Sequence, residues 1–310
     1  MTAPLRVTEL TRRFSGSDRP ALENVSFQAR EGELLTLIGA SGSGKTSLLR
    51  IVAGLESADA GEVRLGDVLL NRGRQILVPP EKRHVGFVFQ NHALFPHLKV
   101  EENVAFGLRG LPEQRRRVAD LLDMVGLTAV AGRYPHQISG GERQRVALIR
   151  ALATKPSLML MDEPFSSLDH SLRNELRGET RRLIQQAGIT TLFVTHDAED
   201  ALAISDRIVV LREGGVQQIG TPDEIYHHPE NHHVARSFGP CNFLIRSELK
   251  SSDRLASAQG IEPERLRHEA IWLRPEDLAL LSPGEPGALA EGVLKVEHFM
   301  GDSRMLTLEC

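Results

Sequence analysis

The 310-residue sequence holds only two cysteines, Cys241 and Cys310. So wide a separation supplies neither a zinc-ligand spacing nor a disulfide framework, and it fits a reducing compartment. Aromatic residues are scarce at 5%, with Trp272 the single tryptophan. No apolar run approaches the ~18 residues of a membrane span. The first residues, Met1-Thr2-Ala3-Pro4-Leu5-Arg6-Val7-Thr8-Glu9, hold no apolar leader core. A basic excess is also missing: 37 Lys and Arg stand against 41 Asp and Glu, a net charge of −4, which argues against a nucleic-acid partner. These absences predict a cytosolic protein whose membrane role, if any, comes through partners. What is present is ordinary for a globular chain, with 41% hydrophobic and 25% charged residues. The length suits one large α/β domain and a smaller one.

One stretch departs from the ordinary. Gly39-Ala40-Ser41-Gly42-Ser43-Gly44-Lys45-Thr46 fits G-x-x-x-x-G-K-[ST]. An apolar run, Leu34 to Ile38, precedes it as a buried strand, and Ser47 to Val52 follow with helical spacing. Glycines let such a loop turn several backbone N–H groups onto phosphate oxygens, and the helix N-terminus adds its own. Lys45 is placed for the β- and γ-phosphates, and the Thr46 hydroxyl for Mg²⁺. The alternative, a flexible Gly/Ser loop, leaves the flanking strand and helix unexplained.

Further residues of the same chemistry sit at the ends of apolar runs. Leu158-Met159-Leu160-Met161 ends in Asp162 and Glu163. Paired carboxylates at a strand end are costly unless a cation or proton resolves them. Asp162 is the expected Mg²⁺ ligand, and Glu163 the general base on the attacking water. Gln90 follows the strand-like Val85 to Phe89 and is placed to touch the metal or the water. His196 follows Thr191 to Val194 in the same way. Phe14 offers either an aromatic face for a base or a core side chain.

The remaining pattern is read in chain order. Leu5 to Leu10 and Asn24 to Ala29 read as strands, and Glu62 to Leu70 as an antiparallel hairpin. His92 to Leu108, interrupted by Pro96, reads as a loop. Glu113 to Val125 is a surface amphipathic helix with Arg115, Arg116 and Arg117 on its solvated face. Ser139 and Glu142 have capping-box spacing ahead of a helix from Arg143 to Ala153. Gly140 and Gly141 between them bare the helix N-terminus for an anion. A further helix runs from Leu172 to Gln186. The pairs His227-His228 and His232-His233, parted by Pro229, read as surface histidines rather than metal ligands.

From Leu5 to about Phe238 the chain resembles the ATP-binding subunit of ABC transporters. Phe14 matches the adenine-stacking aromatic, Gly39 to Thr46 (with Ser47 beside them) the Walker A loop, and Gln90 the Q-loop. Ile138-Ser139-Gly140-Gly141-Glu142 matches the signature, with Ile138 for the commoner Leu and Glu142 for the commoner Gln. Leu158 to Glu163 matches Walker B, Ser167-Leu168-Asp169 the D-loop and His196 the switch histidine. The resemblance implies a P-loop NTPase fold with a RecA-like core, an antiparallel β subdomain and an α-helical signature subdomain over residues 1–240. A small β-barrel-like domain of the TOBE type is then expected over 241–310, with Trp272 to Asp277 as its Arg-Pro-Glu turn and Val293–Val296 and Arg304–Leu308 as strands.

The implied function is ATP hydrolysis with Mg²⁺ in a head-to-tail homodimer. Ser139, Gly140, Gly141 and Glu142 of one copy would close on the nucleotide of the other. The dimer would drive two membrane permease subunits, whose coupling helices meet the surface from Gln90 to Gly107, at the cytoplasmic face of the membrane. An extracytoplasmic binding protein would deliver the solute. Pro79 to Gly86, Ala93 to Leu98 and Gly220 to Tyr226 resemble iron, polyamine, sulfate and maltose importers. Ferric iron is the expected solute, with polyamine, sulfate and phosphonate behind it. A soluble ABC ATPase and a regulatory interaction module are the alternatives of a different class.

Overall fold

Five apolar segments that read as buried strands line up side by side in a computed structural model of the chain. They are β3 (Leu34–Ile38), β7 (Val85–Val88), β8 (Leu158–Asp162), β9 (Thr190–Thr195) and β10 (Arg207–Arg212), all mutually parallel. The residues described are 4–17, 19–108, 110, 112–166, 168–245, 270–275, 293–299 and 304–309. With β11 (Gly215–Gly220) antiparallel at one edge, the sheet runs β11-β10-β3-β9-β8-β7. Parallel strands are covered on both faces and therefore read as continuous apolar runs.

Side-chain alternation divides the core into two layers. Leu158 and Leu160 of β8, Leu192 and Val194 of β9, and Leu35 and Leu37 of β3 face one cluster. Met159, Met161, Phe193 and Leu34 face the other. The first layer is closed by α1 (Lys45–Ala53) and by a second sheet in the order β2-β1-β4-β5-β6. That sheet joins β1 (Leu5–Arg12), β2 (Leu22–Ala29), β4 (Ala60–Leu65), β5 (Val68–Arg72) and the short β6 (Gln75–Ile76), all antiparallel. The second layer is closed by helices α2 (Val100–Ala105), α3 (Gln114–Met124), α4 (Gly140–Ala153) and α5 (His170–Ala187). On α5, Leu176, Leu183 and Ile184 form the buried stripe expected of an amphipathic helix. Helices α6 (Ala198–Ile204) and α7 (Pro222–His227) complete this part of the chain. Thus the parallel core sheet, the antiparallel second sheet and the helical layer expected over residues 1–240 are present.

Two local expectations change. The stretch His92 to Leu108 is not a loop throughout: α2 occupies Val100–Ala105, followed by a 3-10 turn over Phe106–Leu108. Pro96 lies ahead of the helix, where it removes no helical hydrogen bond. The Glu102 carboxylate accepts the Lys99 N–H at 2.7 Å, and the Arg133 carbonyl accepts the Val100 N–H at 2.8 Å. Buried Asn103 then ties down the preceding loop through the carbonyls of Phe95, Leu98 and Lys99. Arg117 also leaves the solvated face; its Nη2 donates to the Leu152 carbonyl at 3.4 Å.

The chain divides into two compact units, Met1–Glu230 and Asn231–Cys310, where the sequence reading set the division after residue 240. In the second, α8 (His232–Ser237) is followed by β12 (Asn242–Ile245) paired antiparallel with β13 (Ala270–Leu273), and by β14 (Val293–Phe299) paired antiparallel with β15 (Arg304–Glu309). Buried Arg274 donates to the carbonyls of Ala235, Gly239 and Pro240. The rest of the expected β-domain, Glu276 and Asp277 included, lies outside the described residues. Among the described residues no helix is long and apolar enough to cross a membrane.

Candidate functional site

The loop Gly39–Gly44 joins the C-terminal end of β3 to α1 and is pressed against neighbouring backbone. A Cβ on Gly39 would lie 2.2 Å from the Leu211 carbonyl oxygen, and one on Gly44 2.1 Å from that of Ala21. Gly44 also has φ of 96° as the N-cap of α1. Both positions therefore admit only glycine. No side chain caps α1 and no acid stands in its first turn. The N–H groups of Lys45, Thr46 and Ser47 thus keep their need for an acceptor, at the positive end of the helix.

Lys45 is buried and folds back over this loop. Its Nζ donates to the carbonyls of Gly39 at 2.7 Å and Ala40 at 3.0 Å, and lies 3.5 Å from Ser43 Oγ. Burial pulls its pKa down, while Glu163 and Asp162 pull it back up. A buried ammonium facing two carboxylates and a ring of N–H groups suits a ligand carrying several negative oxygens.

The carboxylates come from the end of β8. Asp162 Oδ1 lies 3.4 Å from Thr46 Oγ1. Burial, and then the neighbouring Glu163, raise the Asp162 pKa; Thr46, Arg50 and Lys45 oppose them. Glu163 follows with φ of 44°, unusual outside glycine. Its N–H donates to the Val194 carbonyl at 2.9 Å, and its own carbonyl accepts from Ser166 Oγ at 2.9 Å. This turn points the carboxylate away from the strand, toward two other strand ends. His196 Nδ1, just past β9, lies 3.0 Å from Glu163 Oε2. Gln90 Nε2, just past β7, lies 3.4 Å from the same oxygen and 3.4 Å from Ser166 Oγ. The ends of β3, β7, β8 and β9 thus bring together Lys45, Thr46, Asp162, Glu163, His196 and Gln90, at the strand ends where open α/β sheets bind ligands.

Two further groups of expected residues make contacts of their own. Phe14 is 40% exposed, with the Arg12 guanidinium 4.7 Å from its ring centre. Arg12 in turn lies 3.8 Å from Asp59. Ser139 caps α4: its Oγ accepts the Glu142 N–H at 3.2 Å, and the Glu142 carboxylate accepts the Ser139 N–H at 2.7 Å. That backbone bond holds the Glu142 carboxyl below its ordinary pKa, so its charge is already engaged in the cap. Gly140 and Gly141 face Leu168, Arg143 and Leu172. The D-loop is described at Leu168 and Asp169; Ser167 lies outside the described residues.

Sequence reading missed Arg12 and Ser166. Arg12 ends β1 and Phe14 lies two residues beyond it, outside the strand, so strand alternation gave no signal for their contact. Ser166 had no signal except its place three residues beyond Glu163.

Comparison with known proteins gives the same picture. Residues 22–166 match the family model for "ABC transporter". The chain is 44% identical over 303 residues to the sulfate/thiosulfate import ATP-binding protein CysA 2 of Rhizobium meliloti (strain 1021), covering 94% of this chain and 80% of that one. It is 46% identical over 299 residues to the spermidine/putrescine import ATP-binding protein PotA of Lawsonia intracellularis (strain PHE/MN1-00), covering 92% of this chain and 78% of that one. Among solved structures, the dimeric ATP-binding cassette MJ0796, in a post-hydrolysis state bound to ADP and Pi, superposes with a TM-score of 0.61 at 32% identity, covering 70% of this chain and 98% of that one. These relatives are sulfate and polyamine import proteins by name, so the expectation of ferric iron gives way to the sulfate and polyamine alternatives.

Proposed function

The chain belongs to the ABC transporter ATP-binding proteins and is an ATPase of the import type; from that premise we propose that it powers uptake of sulfate, thiosulfate or a polyamine through membrane permease subunits. The observation that carries the chemistry is the convergence of Lys45, Thr46, Asp162, Glu163, Gln90 and His196 at neighbouring strand ends. The solute rests on the names of the relatives alone.

In this reading the N–H groups of the Gly39–Ser47 segment and the Lys45 ammonium hold the phosphates of ATP, and the open face of Phe14 stacks on adenine. The donors at Asp162 fit magnesium: the Thr46 hydroxyl and the Asp162 carboxylate are both hard oxygens, and in this reading Gln90, whose Nε2 meets Glu163, would add its amide oxygen. A carboxyl whose pKa is raised by burial and a second acid is one that a cation would relieve. Bound there, magnesium would neutralise charge on the phosphate oxygens. Glu163 then accepts the proton of the attacking water, and His196 and Gln90, both on its carboxylate, fix its direction. Hydrolysis comes from positioning and charge stabilisation, with no covalent intermediate.

Among the described residues, Ser139, Gly140 and Gly141 bond and pack only around the start of α4 and α5; with the dimeric cassette among the similar structures, this favours a head-to-tail homodimer in which they close on the partner copy's nucleotide. Glu142 contributes by holding the cap. The dimer would act at the cytoplasmic face of the membrane on two permease subunits docked near Gln90 to Gly107, supplied by an extracytoplasmic binding protein. Residues 241–310 would form a TOBE-type accessory domain.

The test is uptake of labelled sulfate, thiosulfate, spermidine and putrescine by source cells lacking the protein, with wild type or Glu163→Gln supplied back. Uptake of one solute restored by wild type alone supports the reading and names the solute. No change in any of the four, from a protein that hydrolyses ATP, would overturn the solute assignment.

A further inference from the structure

Arg173 lies in the first turns of α5, and its guanidinium joins two loops of the site. Nη1 donates to Asp197 Oδ2 at 2.6 Å, and Nη2 to the Leu168 carbonyl at 3.3 Å. Asp197 directly follows His196, and Leu168 directly precedes Asp169, the N-cap of α5. Arg173 Nε is buried without a hydrogen-bond partner among the described residues. The group is therefore held by two oxygens on two different loops.

Asp197 has a second set of contacts that does not need Arg173. Its Oδ1 accepts the Asp200 N–H at 3.1 Å as the N-cap of α6 and lies 3.6 Å from Arg177 Nη2. Its own N–H donates to Thr195 Oγ1 at 3.0 Å. Arg177 Nε is bonded to Asp200. The two carboxylate oxygens thus do different things: Oδ1 caps a helix, and Oδ2 receives Arg173. Losing Arg173 leaves the cap in place and frees the turn that carries His196 from the loop at Leu168.

We propose that Arg173 is a positioning residue for hydrolysis: one guanidinium fixes the His196 turn to the Leu168–Asp169 loop, and so sets the 3.0 Å approach of His196 to Glu163. This rests on the reading of Glu163 and His196 given above. A rigid, planar fork can meet two oxygens in two fixed directions at once; a lysine ammonium keeps the charge but not that geometry. Movement of the Leu168–Asp169 loop is then transmitted to His196 by a single side chain. Neither sequence motif reveals the tie, because Arg173 belongs to neither.

The test is a double-mutant cycle on the full chain, reading ATP turnover and nucleotide affinity for Arg173→Gln, Arg173→Lys, His196→Ala and the two combinations. Arg173→Gln is expected to lower kcat about 10- to 10²-fold while leaving nucleotide Kd within about twofold. In the His196→Ala background the same change is expected to lower kcat no further, since it acts through a contact already gone. Arg173→Lys should recover part of the loss, and it carries the comparison alone if Arg173→Gln does not fold. A loss that multiplies with that of His196→Ala, or one matched by weaker nucleotide binding, overturns the proposal, as does wild-type turnover in Arg173→Gln. Wild-type turnover in His196→Ala would instead overturn the hydrolytic reading of His196, and this proposal with it.

Discussion

His196 Nδ1 lies 3.0 Å from Glu163 Oε2, and Gln90 Nε2 approaches that same oxygen at 3.4 Å. One carboxylate oxygen is thus addressed from two separate strand ends. Such an arrangement fixes the direction of the carboxylate rather than its burial. Glu163→Gln keeps the shape and loses the base. It is expected to lower ATP turnover about 10²–10⁴-fold, the usual contribution of a general base, with nucleotide binding retained. Steady-state turnover together with nucleotide titration checks this; turnover at the wild-type rate would remove Glu163 from the mechanism.

Asp162 gives a prediction about pH. Burial and Glu163 raise its pKa above the ordinary carboxylate value. A raised folded-state pKa contributes stability below the unfolded value of about 4, and that contribution is lost as pH rises through the folded value. Near neutrality, without metal or nucleotide, the ionised group is therefore a cost to the fold. Asp162→Asn is expected to melt above wild type at about pH 7, with the difference shrinking toward about pH 4, while losing hydrolysis. A melting difference that does not change with pH would show that the charge at Asp162 is not what matters.

Arg83 tests a structural clamp behind the phosphate loop. It is 2% exposed, and burial lowers its pKa to about 10. Nη1 donates to the carbonyls of Ile51 at 3.0 Å and Val52 at 2.6 Å, at the C-terminal end of α1. Nε donates to the Val78 carbonyl at 2.8 Å, and Nη2 to Asn71 Oδ1 at 2.6 Å. Arg83→Ala strands these buried acceptors and is expected to cost on the order of 3 kcal/mol of unfolding free energy. Arg83→Lys should rescue little, since one ammonium cannot serve the same directions. Denaturant unfolding of the two variants decides it; a loss below about 1 kcal/mol would mean that water replaces the guanidinium.

What could be read from the sequence divides from what could not by distance along the chain. The phosphate loop, the buried strands and the Ser139–Glu142 cap each carry their cause within a few residues: a glycine that must turn, an apolar run, a donor and acceptor three apart. Arg83 meets Ile51, Val52 and Asn71, Arg173 meets Asp197 and Ser166 meets Gln90. These partners are far away in sequence, and a charged side chain announces nothing about where it will find its oxygens. Helix α2 was missed for a different reason: Pro96 is a local breaker, but the contacts that start the helix, such as that of Val100 with Arg133, are tertiary. The solute leaves no mark on the strand-end cluster, whose proposed ligand is ATP.

Gly140 separates what the fold needs from what a second molecule needs. It opens α4 directly after the Ser139 cap, and neither it nor Gly141 is among the described glycines with positive φ. A Cβ on Gly140 would meet Leu168 Cδ2 at 3.6 Å and Arg143 Nη2 at 3.8 Å, ordinary contact distances. On Gly141 it would meet Leu172 Cδ1 at 3.0 Å and Cδ2 at 3.1 Å, so that helix packing resists it. Within this chain alone, alanine at 140 is tolerated and costs the backbone less entropy than glycine. Gly140→Ala is therefore expected to unfold no earlier than wild type, whereas Gly141→Ala should lose about 1 kcal/mol by overpacking. If the helix start closes on the nucleotide of a partner copy, the added methyl at 140 stands between them. ATP-induced dimerisation, followed in the Glu163→Gln background, and turnover in the single variant should then both fall at least about tenfold, the scale of a small misplacement at a reacting site. Normal dimerisation and turnover in Gly140→Ala would mean that the glycine is spare, and the shared-site arrangement would have to be built on other residues.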